Sequence, residues 1–196
     1  SRHPFVRDLI SSVTSSNTDV IDPVMDDVNG WIIRAKGSGH ATITLKDVFG
    51  NTSTCQIAVL ASYEVRRFEQ DESGSGEYQY GYISSAKGIP GDKTDVIAEE
   101  YEGFHAKKVE QQTISADGNT VVNIYYDRDS YKVNWDSNGG TFEGGESSVQ
   151  TDVLYGAPLE APTVTKAGYM FAGWSPKLPE GMPAENITLK AQWGKI

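Results

Sequence analysis

The sequence predicts a mainly β protein built from small modules in tandem. Frequent turns are marked by 20 glycines, 8 prolines and repeated Asn-Gly or Asp-Gly steps. Short runs rich in Val, Ile, Thr, Tyr and Trp lie between these turns, as strands do. Long amphipathic helical patterns are missing. Because 38% hydrophobic residues is modest for one compact core of 196 residues, we expect several small units, each with a high surface-to-volume ratio.

The first predicted module covers residues 1–61. The runs HATITLKD and STCQIAVL alternate as half-buried strands do, and FGN at Phe49–Asn51 is expected to turn the chain back between them. Cys55, the single cysteine, is expected to be buried as a small apolar residue. The strings SSNTDVI, GWIIRAKGSGHATIT and DVFGNTSTCQIAV resemble the bacterial Ig-like domain of the Big family, with His40 where that family has a small residue. The resemblance implies an Ig-like β-sandwich, truncated at its start, where SRHPFVRDLISSV lacks alternation.

The second predicted module covers residues 62–129. The segment DKTDVIAEEYEGF, Asp92–Phe104, is predicted to be a helix. Thr94 or Asp95 would cap it, and Gly103 would end it. Val96, Ile97 and Tyr101 would face a core. Two strands are expected around the turn Ala116–Asn119. A strand, a helix and a hairpin together indicate a small α+β module of β-grasp type. The string TISADGNTVVNIYYDR resembles the closing part of MucBP-like repeats of Gram-positive surface proteins, a family in which some members bind mucin.

The tyrosines of this module form the candidate binding site. Tyr78, Tyr80 and Tyr82 follow one another at every second position, so a regular strand would place them on one face. Aromatic faces exposed in this way suit a glycan or a protein ligand.

The third predicted module covers residues 130–196. Tyr131, Val133 and Trp135 are expected to share one strand face, followed by a tight turn at Asn138-Gly139-Gly140. The blocks YKVNWDSNGGTFEGG, GYMFAGW and LKAQW resemble the Listeria–Bacteroides repeat, also called the InlB B-repeat, an extracellular module of bacterial surface proteins. The resemblance implies a β-grasp fold. We expect Trp135, Trp174 and Trp193 to form the core of this module, with a sugar-stacking platform as the alternative.

Charge and composition exclude several classes of function. The net charge is −10, and residues 62–129 alone carry 14 acidic and 7 basic side chains. Such a surface disfavours nucleic acid and anionic lipid, and no apolar run is long enough to insert in a membrane. No catalytic constellation, cofactor motif or zinc-ligand spacing is present. The histidines, His3, His40 and His105, are expected to be surface or packing residues. Asp26 with Asp27 and Asn29, and Asp127 with Asp129, are at most weak calcium candidates.

These features predict a non-catalytic fragment of a bacterial cell-surface protein. We expect an extracellular segment of a longer, cell wall-attached or secreted Gram-positive protein, monomeric as a fragment. Its stalk or adhesion modules would extend or present a surface for host glycan, mucin or host protein. The alternative is that the modules are spacer or carbohydrate-binding accessories of a large secreted enzyme, such as a glycoside hydrolase or protease. A Lys–Asn or Lys–Asp isopeptide cross-link within a module stays open.

Overall fold

The structure is a computed structural model that describes residues 9–196. In that range the secondary structure is β-strand without any α-helix, so the mainly β prediction is confirmed. His3 and the first part of the segment SRHPFVRDLISSV, where the predicted module is truncated, lie outside the described residues. The strands are β1 (Ile10–Ser15), β2 (Ile21–Asp26), β3 (Gly30–Ala35), β4 (Gly39–Asp47), β5 (Thr52–Val59), β6 (Ala61–Gln70), β7 (Tyr78–Gly88), β8 (Phe104–Ala106), β9 (Val121–Arg128), β10 (Ser130–Asp136), β11 (Thr141–Phe142), β12 (Ser148–Leu154), β13 (Val164–Thr165), β14 (Tyr169–Ser175) and β15 (Ile187–Lys195).

The chain divides into two compact units, and each is composed of several chain segments. Among the described residues, the first unit contains residues 9–66, 83–96 and 110–123, and the second contains residues 67–82, 97–109 and 124–196. One four-stranded sheet has the order β7-β6-β9-β8.

The first unit begins with a three-stranded antiparallel sheet of order β1-β4-β5 and a separate hairpin, β2-β3. The predicted turn at Phe49–Asn51 is confirmed, since it joins β4 to β5 and the Asp47 carboxylate accepts hydrogen bonds from the Phe49 and Asn51 amides at 2.9 and 2.8 Å. Trp31 of the hairpin packs against the core. The buried side chains of that core are Val13, Val20, Ile21, Ala41 and Ile43.

Cys55 is exposed, so its predicted burial is wrong. It lies on β5, which is the edge strand of its sheet, directly opposite Ile43 on β4. Opposite residues of an antiparallel pair share a face, and Ile43 is buried on that face. The alternation of STCQIAVL therefore predicted the strand correctly. Core side chains cover Ile43 on β4, but they do not extend over Cys55 at the edge of the sheet.

The predicted helix at Asp92–Phe104 is wrong, because the segment contains no helical residue and its first part, residues 92–96, is hydrogen-bonded to residues 111–114. The Thr94 amide donates to the Gln112 carbonyl at 2.8 Å, and the Ile114 amide donates to the Asp92 carbonyl at 2.8 Å. The Gln111 side chain accepts from the Val96 amide and donates to the Val96 carbonyl. These bonds replace the helical ones. Ile97, predicted to face a core, is 81% exposed.

The second unit contains a four-stranded sheet of order β12-β10-β15-β14. The central strands β10 and β15 run parallel, and each outer strand is antiparallel to its neighbour. The predicted turn after β10 is confirmed, since Asn138 and Gly139 have φ of 48° and 84°, which few side-chain-bearing residues adopt. The Asn138 side chain then donates to the Ala191 carbonyl of β15 at 2.9 Å, which holds the turn against the sheet.

The core of this sheet confirms the predicted role of the tryptophans. Val133 and Trp135 are fully buried on one face of β10, and the Trp135 indole nitrogen donates to Thr151 Oγ1 at 3.0 Å. Trp174 and Trp193 are half-buried and pack against the same core. The remaining buried side chains of the cluster are Phe142, Leu159, Val164, Met182, Leu189 and Ala191.

Arg128 joins three chain segments within the second unit. Its side chain donates to the carbonyls of Gln70 and Tyr155, both at 2.8 Å, and its guanidinium lies 4.9 Å from the centre of the Phe104 ring. The Tyr155 amide in turn donates to the Asp129 carbonyl at 2.9 Å. The chain around the predicted boundary at residues 129 and 130 is therefore hydrogen-bonded on both sides.

Candidate ligand-binding surface

The three candidate tyrosines lie on β7, at the edge of its sheet. Tyr80 is 53% exposed and Tyr82 is 44% exposed, whereas Tyr78 is half-buried. The regular alternation of buried and exposed residues is lost here, since residues 79–83 are all exposed. The contacts of each tyrosine therefore decide which side of the sheet its ring occupies.

Tyr78 and Tyr80 belong to a cluster of four rings that we call the aromatic patch: Phe68, Tyr78, Tyr80 and Tyr125. Phe68 of β6 stacks on Tyr125 of β9 with ring centres 5.0 Å apart. Tyr80 meets Phe68 edge-on at 5.6 Å, and Tyr78 meets Tyr125 edge-on at 5.0 Å. Each arrangement is one that aromatic quadrupoles favour. Tyr80 is the most exposed ring of β7 in the patch.

Charged side chains border the aromatic patch on the Tyr78 side. The Tyr78 hydroxyl donates to the Asp127 carboxylate, and Lys107 Nζ lies 3.4 Å from that carboxylate and 5.0 Å from the centre of the Tyr78 ring. The hydrogen bond to Tyr78, followed by the bond to Asp127, raises the pKa of Lys107 above its ordinary value. His105 Nδ1 lies 2.7 Å from an Asp129 carboxylate oxygen. The border therefore offers both hydrogen-bond donors and acceptors.

Tyr82 lies on the other face of the sheet, contrary to the prediction that the three tyrosines share a face. The Arg67 guanidinium lies 4.3 Å from the centre of the Tyr82 ring, whereas Tyr80 contacts Phe68. Arg67 and Phe68 are consecutive on β6, so their side chains point to opposite faces. These contacts separate Tyr82 from the patch, although strict period two would have placed it on the same face as Tyr80.

Tyr82 belongs to a hydrogen-bonded cluster around Glu99. Glu99 Oε2 accepts hydrogen bonds from the hydroxyls of Tyr82 and Tyr101 at 3.0 and 2.9 Å, and Arg67 Nη2 lies 3.6 Å away. The two tyrosine oxygens are 2.7 Å apart. Sequence reasoning missed this cluster because it predicted a helix over Asp92–Phe104, the segment that contains Glu99. The local signal is the spacing Glu99-x-Tyr101, which indicates neighbours on one strand-like face only once the segment is known to be extended.

The cluster shifts the pKa values of its members in opposite directions. The hydrogen bonds from Tyr101 and Tyr82, and then the charge of Arg67, hold the pKa of Glu99 below its ordinary value. The hydrogen bond to Tyr82, burial and the bond to Glu99 raise the pKa of Tyr101 above its ordinary value of 10.0. These shifts favour an ionised carboxylate at Glu99 and a neutral hydroxyl at Tyr101.

We expect an NMR titration of the glutamate side chains to give Glu99 a pKa below the ordinary value of about 4.3. Because the pKa of the folded state is the lower one, the stabilising contribution of this carboxylate is present above about pH 4.3 and is lost as the pH falls through the folded-state pKa. Tyr82→Phe should move the Glu99 pKa toward its ordinary value, whereas Tyr78→Phe, whose hydroxyl bonds Asp127 instead, should not. An unshifted Glu99 in the wild-type protein would contradict the network.

The aromatic patch can stack on the apolar face of a sugar ring, and its charged border can bond the hydroxyls. An exposed aromatic ring presents a flat apolar face with a negative quadrupole, which C–H groups approach favourably. Tyr80, the most exposed ring of the patch, supplies this face, and Lys107 and Asp127 supply the polar contacts at its border. The Glu99 cluster, in contrast, satisfies its polar groups internally and suits a structural role.

The weak calcium candidates are engaged in other contacts. The Asp26 carboxylate accepts from the amides of Val28 and Asn29 at 2.9 and 2.7 Å, and so closes the β2-β3 turn. These bonds hold the pKa of Asp26 below its ordinary value. Asp127 pairs with Lys107, and Asp129 pairs with His105.

Comparison with known proteins assigns one part of the chain. No curated protein matches it significantly. Among the described residues, no helix is long and apolar enough to cross a membrane. The model of the Listeria-Bacteroides repeat domain matches residues 131–192, which run from the start of β10 almost to the end of β15. This segment is therefore similar to a repeat found in surface and extracellular proteins.

Proposed function

We propose that this chain is a non-catalytic segment of a bacterial cell-surface or secreted protein, whose modules extend or present a binding surface to host glycan or protein. The observation that carries the proposal is the repeat match over residues 131–192. In that region the tryptophans of the sequence pattern pack into the core, Trp135 completely so. A segment with its tryptophans buried in this way is proposed to act as a spacer module, and the ligand is proposed to bind at another surface.

The module assignments form part of the same proposal. Residues 1–61 are an Ig-like module, residues 62–129 a MucBP-like module, and residues 130–196 a β-grasp-type module. The sheet order β12-β10-β15-β14 with a parallel central pair supports the last assignment, although the helix that β-grasp folds normally carry is absent among the described residues. A β-only middle module likewise departs from the α+β form implied by the sequence.

The aromatic patch is the surface we propose for the ligand. Of the three tyrosines that the sequence singled out, Tyr80 is the most exposed and Tyr78 anchors the charged border. Tyr82 is directed to the opposite face, so its proposed role is to stabilise the sheet edge through Glu99 and Arg67. A neutral or weakly charged glycan fits this surface better than a polyanion, because the chain has a net charge of −10.

A glycan array followed by titration against mucin-type glycans tests the proposal. We expect measurable binding by the wild-type chain, and Tyr80→Ala should weaken it at least about fivefold, because it removes the exposed stacking ring. Phe49→Ala is the matched control, since Phe49 is an exposed aromatic residue of the first unit, and it should leave binding unchanged.

Three outcomes would count against the proposal. One is the absence of binding to any glycan or mucin at millimolar sugar. Another is equal binding by Tyr80→Ala and the wild-type chain. The third is a glycan recovered from the mixture in cleaved form, which would contradict the non-catalytic part.

A further inference from the structure

The outer edge of β12 is open. Strand β12 is the first of its sheet and pairs along its whole length with β10 alone, and no other strand of the described chain pairs with it. Alternate residues of such a strand direct their N–H and C=O groups away from the sheet. Natural edge strands often block further pairing with proline or lysine, but β12 has the sequence SVQTDVL and contains neither.

A groove runs beside the second half of this edge. It has a volume of about 390 Å³ and lies among Glu72, Ser73, residues 151–154, Ala157, Pro158 and Glu160. Val153 and Leu154 are half-buried and Ala157 is buried, so the groove has apolar walls. The loop that bears Glu72 is ordered by its own contacts, since the Asp71 carboxylate accepts from the side chains of Ser73 and Ser75 at 2.6 and 2.8 Å.

The rim of the groove is acidic. Glu72, Asp152 and Glu160 all line it. Lys132 Nζ lies 3.1 Å from Asp152 and partly neutralises that carboxylate. Glu72 and Glu160 form no ion pair within residues 9–196, and both are exposed. Their charges therefore select a cationic occupant over an anionic one.

We propose that β12 and this groove bind an extended, lysine- or arginine-rich peptide segment of a protein partner, which adds to the sheet as a further strand. The open backbone of β12 supplies hydrogen bonds to the peptide main chain, and alternate peptide side chains enter the groove. The apolar walls accept the aliphatic stems of those side chains, while Glu72 and Glu160 meet their charged ends. This site is distinct from the aromatic patch and does not depend on glycan binding.

A fluorescein-labelled octapeptide of alternating lysine and valine is the probe. We expect a saturable rise in fluorescence anisotropy at about 50 mM salt that weakens at high salt, as screening requires. The matching glutamate–valine peptide should bind at least tenfold more weakly. Two further peptides carry N-methyl groups on alternate backbone nitrogens, one on the odd-numbered and one on the even-numbered residues. One of them should bind at least tenfold more weakly than the unmodified peptide, because only one set of N–H groups faces β12.

Variants of the protein test the location. The double variant Glu72→Gln, Glu160→Gln should weaken binding at least about fivefold. The control, Glu143→Gln, Glu180→Gln, makes the same change in net charge at exposed positions outside the groove and should stay within twofold of wild type. Amide NMR shifts induced by the peptide should be concentrated in residues 151–154, 157, 159 and 160.

The proposal is overturned if the two peptides bind equally, if both double variants lose affinity alike, or if the NMR shifts lie elsewhere. Sedimentation without peptide provides one further test. A dimer whose formation is abolished by peptide would make a second copy of this chain the natural occupant of the edge, and would overturn the assignment to a basic partner.

Discussion

Trp135→Ala is expected to destabilise the second unit by about 3 to 5 kcal/mol, because it truncates the largest fully buried side chain of the described residues. The side chain is 0% exposed and lies in a cluster with Val133, Leu189 and Met182. Its ring meets that of Trp174 edge-on at 4.9 Å. Truncation removes the transfer free energy of a large side chain and leaves a cavity that a small sheet cannot easily close.

Urea denaturation followed by tryptophan fluorescence measures this loss. Three of the four tryptophans, Trp135, Trp174 and Trp193, lie in the affected region. Trp174 and Trp193 therefore remain as fluorescent reporters of that region in the variant. Met170→Ala is the control, since Met170 is exposed on the neighbouring strand β14, and its effect should be within about 0.5 kcal/mol. A Trp135→Ala protein as stable as the wild type would show that the tryptophan is not the core of this sheet.

Gly140→Ala is expected to lower the free energy of unfolding by about 1 to 3 kcal/mol, because the added methyl group has no room. A Cβ at this position would lie 2.5 Å from the Thr165 carbonyl oxygen and 2.6 Å from Trp193 Cζ2. The carbonyl belongs to the backbone, so it cannot rotate away as a flexible side chain would. Trp193 is itself held by a 3.0 Å hydrogen bond from its indole nitrogen to the Ser137 carbonyl.

Gly194→Ala supplies the matched comparison for the glycine. No atom lies within 4 Å of a Cβ built at Gly194, and the residue lies in strand β15. Alanine there should be neutral or stabilising by less than about 1 kcal/mol, because glycine in a strand carries an entropic cost. If both alanine variants unfold at the same urea concentration, the close approach of Gly140 to Trp193 is not formed in solution.

In the region that the repeat model matches, the buried face of β10 and the turn that follows it could be predicted from the sequence. Strict alternation in β10 placed Val133 and Trp135 on one face, and Asn138-Gly139 indicated residues with positive φ. Both features depend on the local backbone, with period two in a strand and left-handed conformations in a turn. Sequence therefore determines them without reference to distant parts of the chain.

The middle region was less predictable, because its structure depends on distant partners. The segment from Asp92 to Phe104 has a helical spacing of apolar residues, but its first part, residues 92–96, is hydrogen-bonded to residues 111–114 instead. Intrinsic helix preference is worth only tenths of a kcal/mol per residue, and tertiary contacts override it. Because the helix was predicted wrongly, the contacts of Glu99 were missed as well. Its partners Arg67 and Tyr82 lie far away in the sequence.

What the sequence by itself determined is the mainly β class, the turns and strand faces of the repeat, and the acidic, tyrosine-rich character of the middle region. Tertiary structure alone decided that Cys55 is exposed, that Tyr82 is separated from Tyr80, and that β12 ends its sheet beside an acidic groove. Periodicity reports which side of a strand a residue occupies. Whether that side is covered, and whether an edge is paired, depends on segments that come together only in the folded chain.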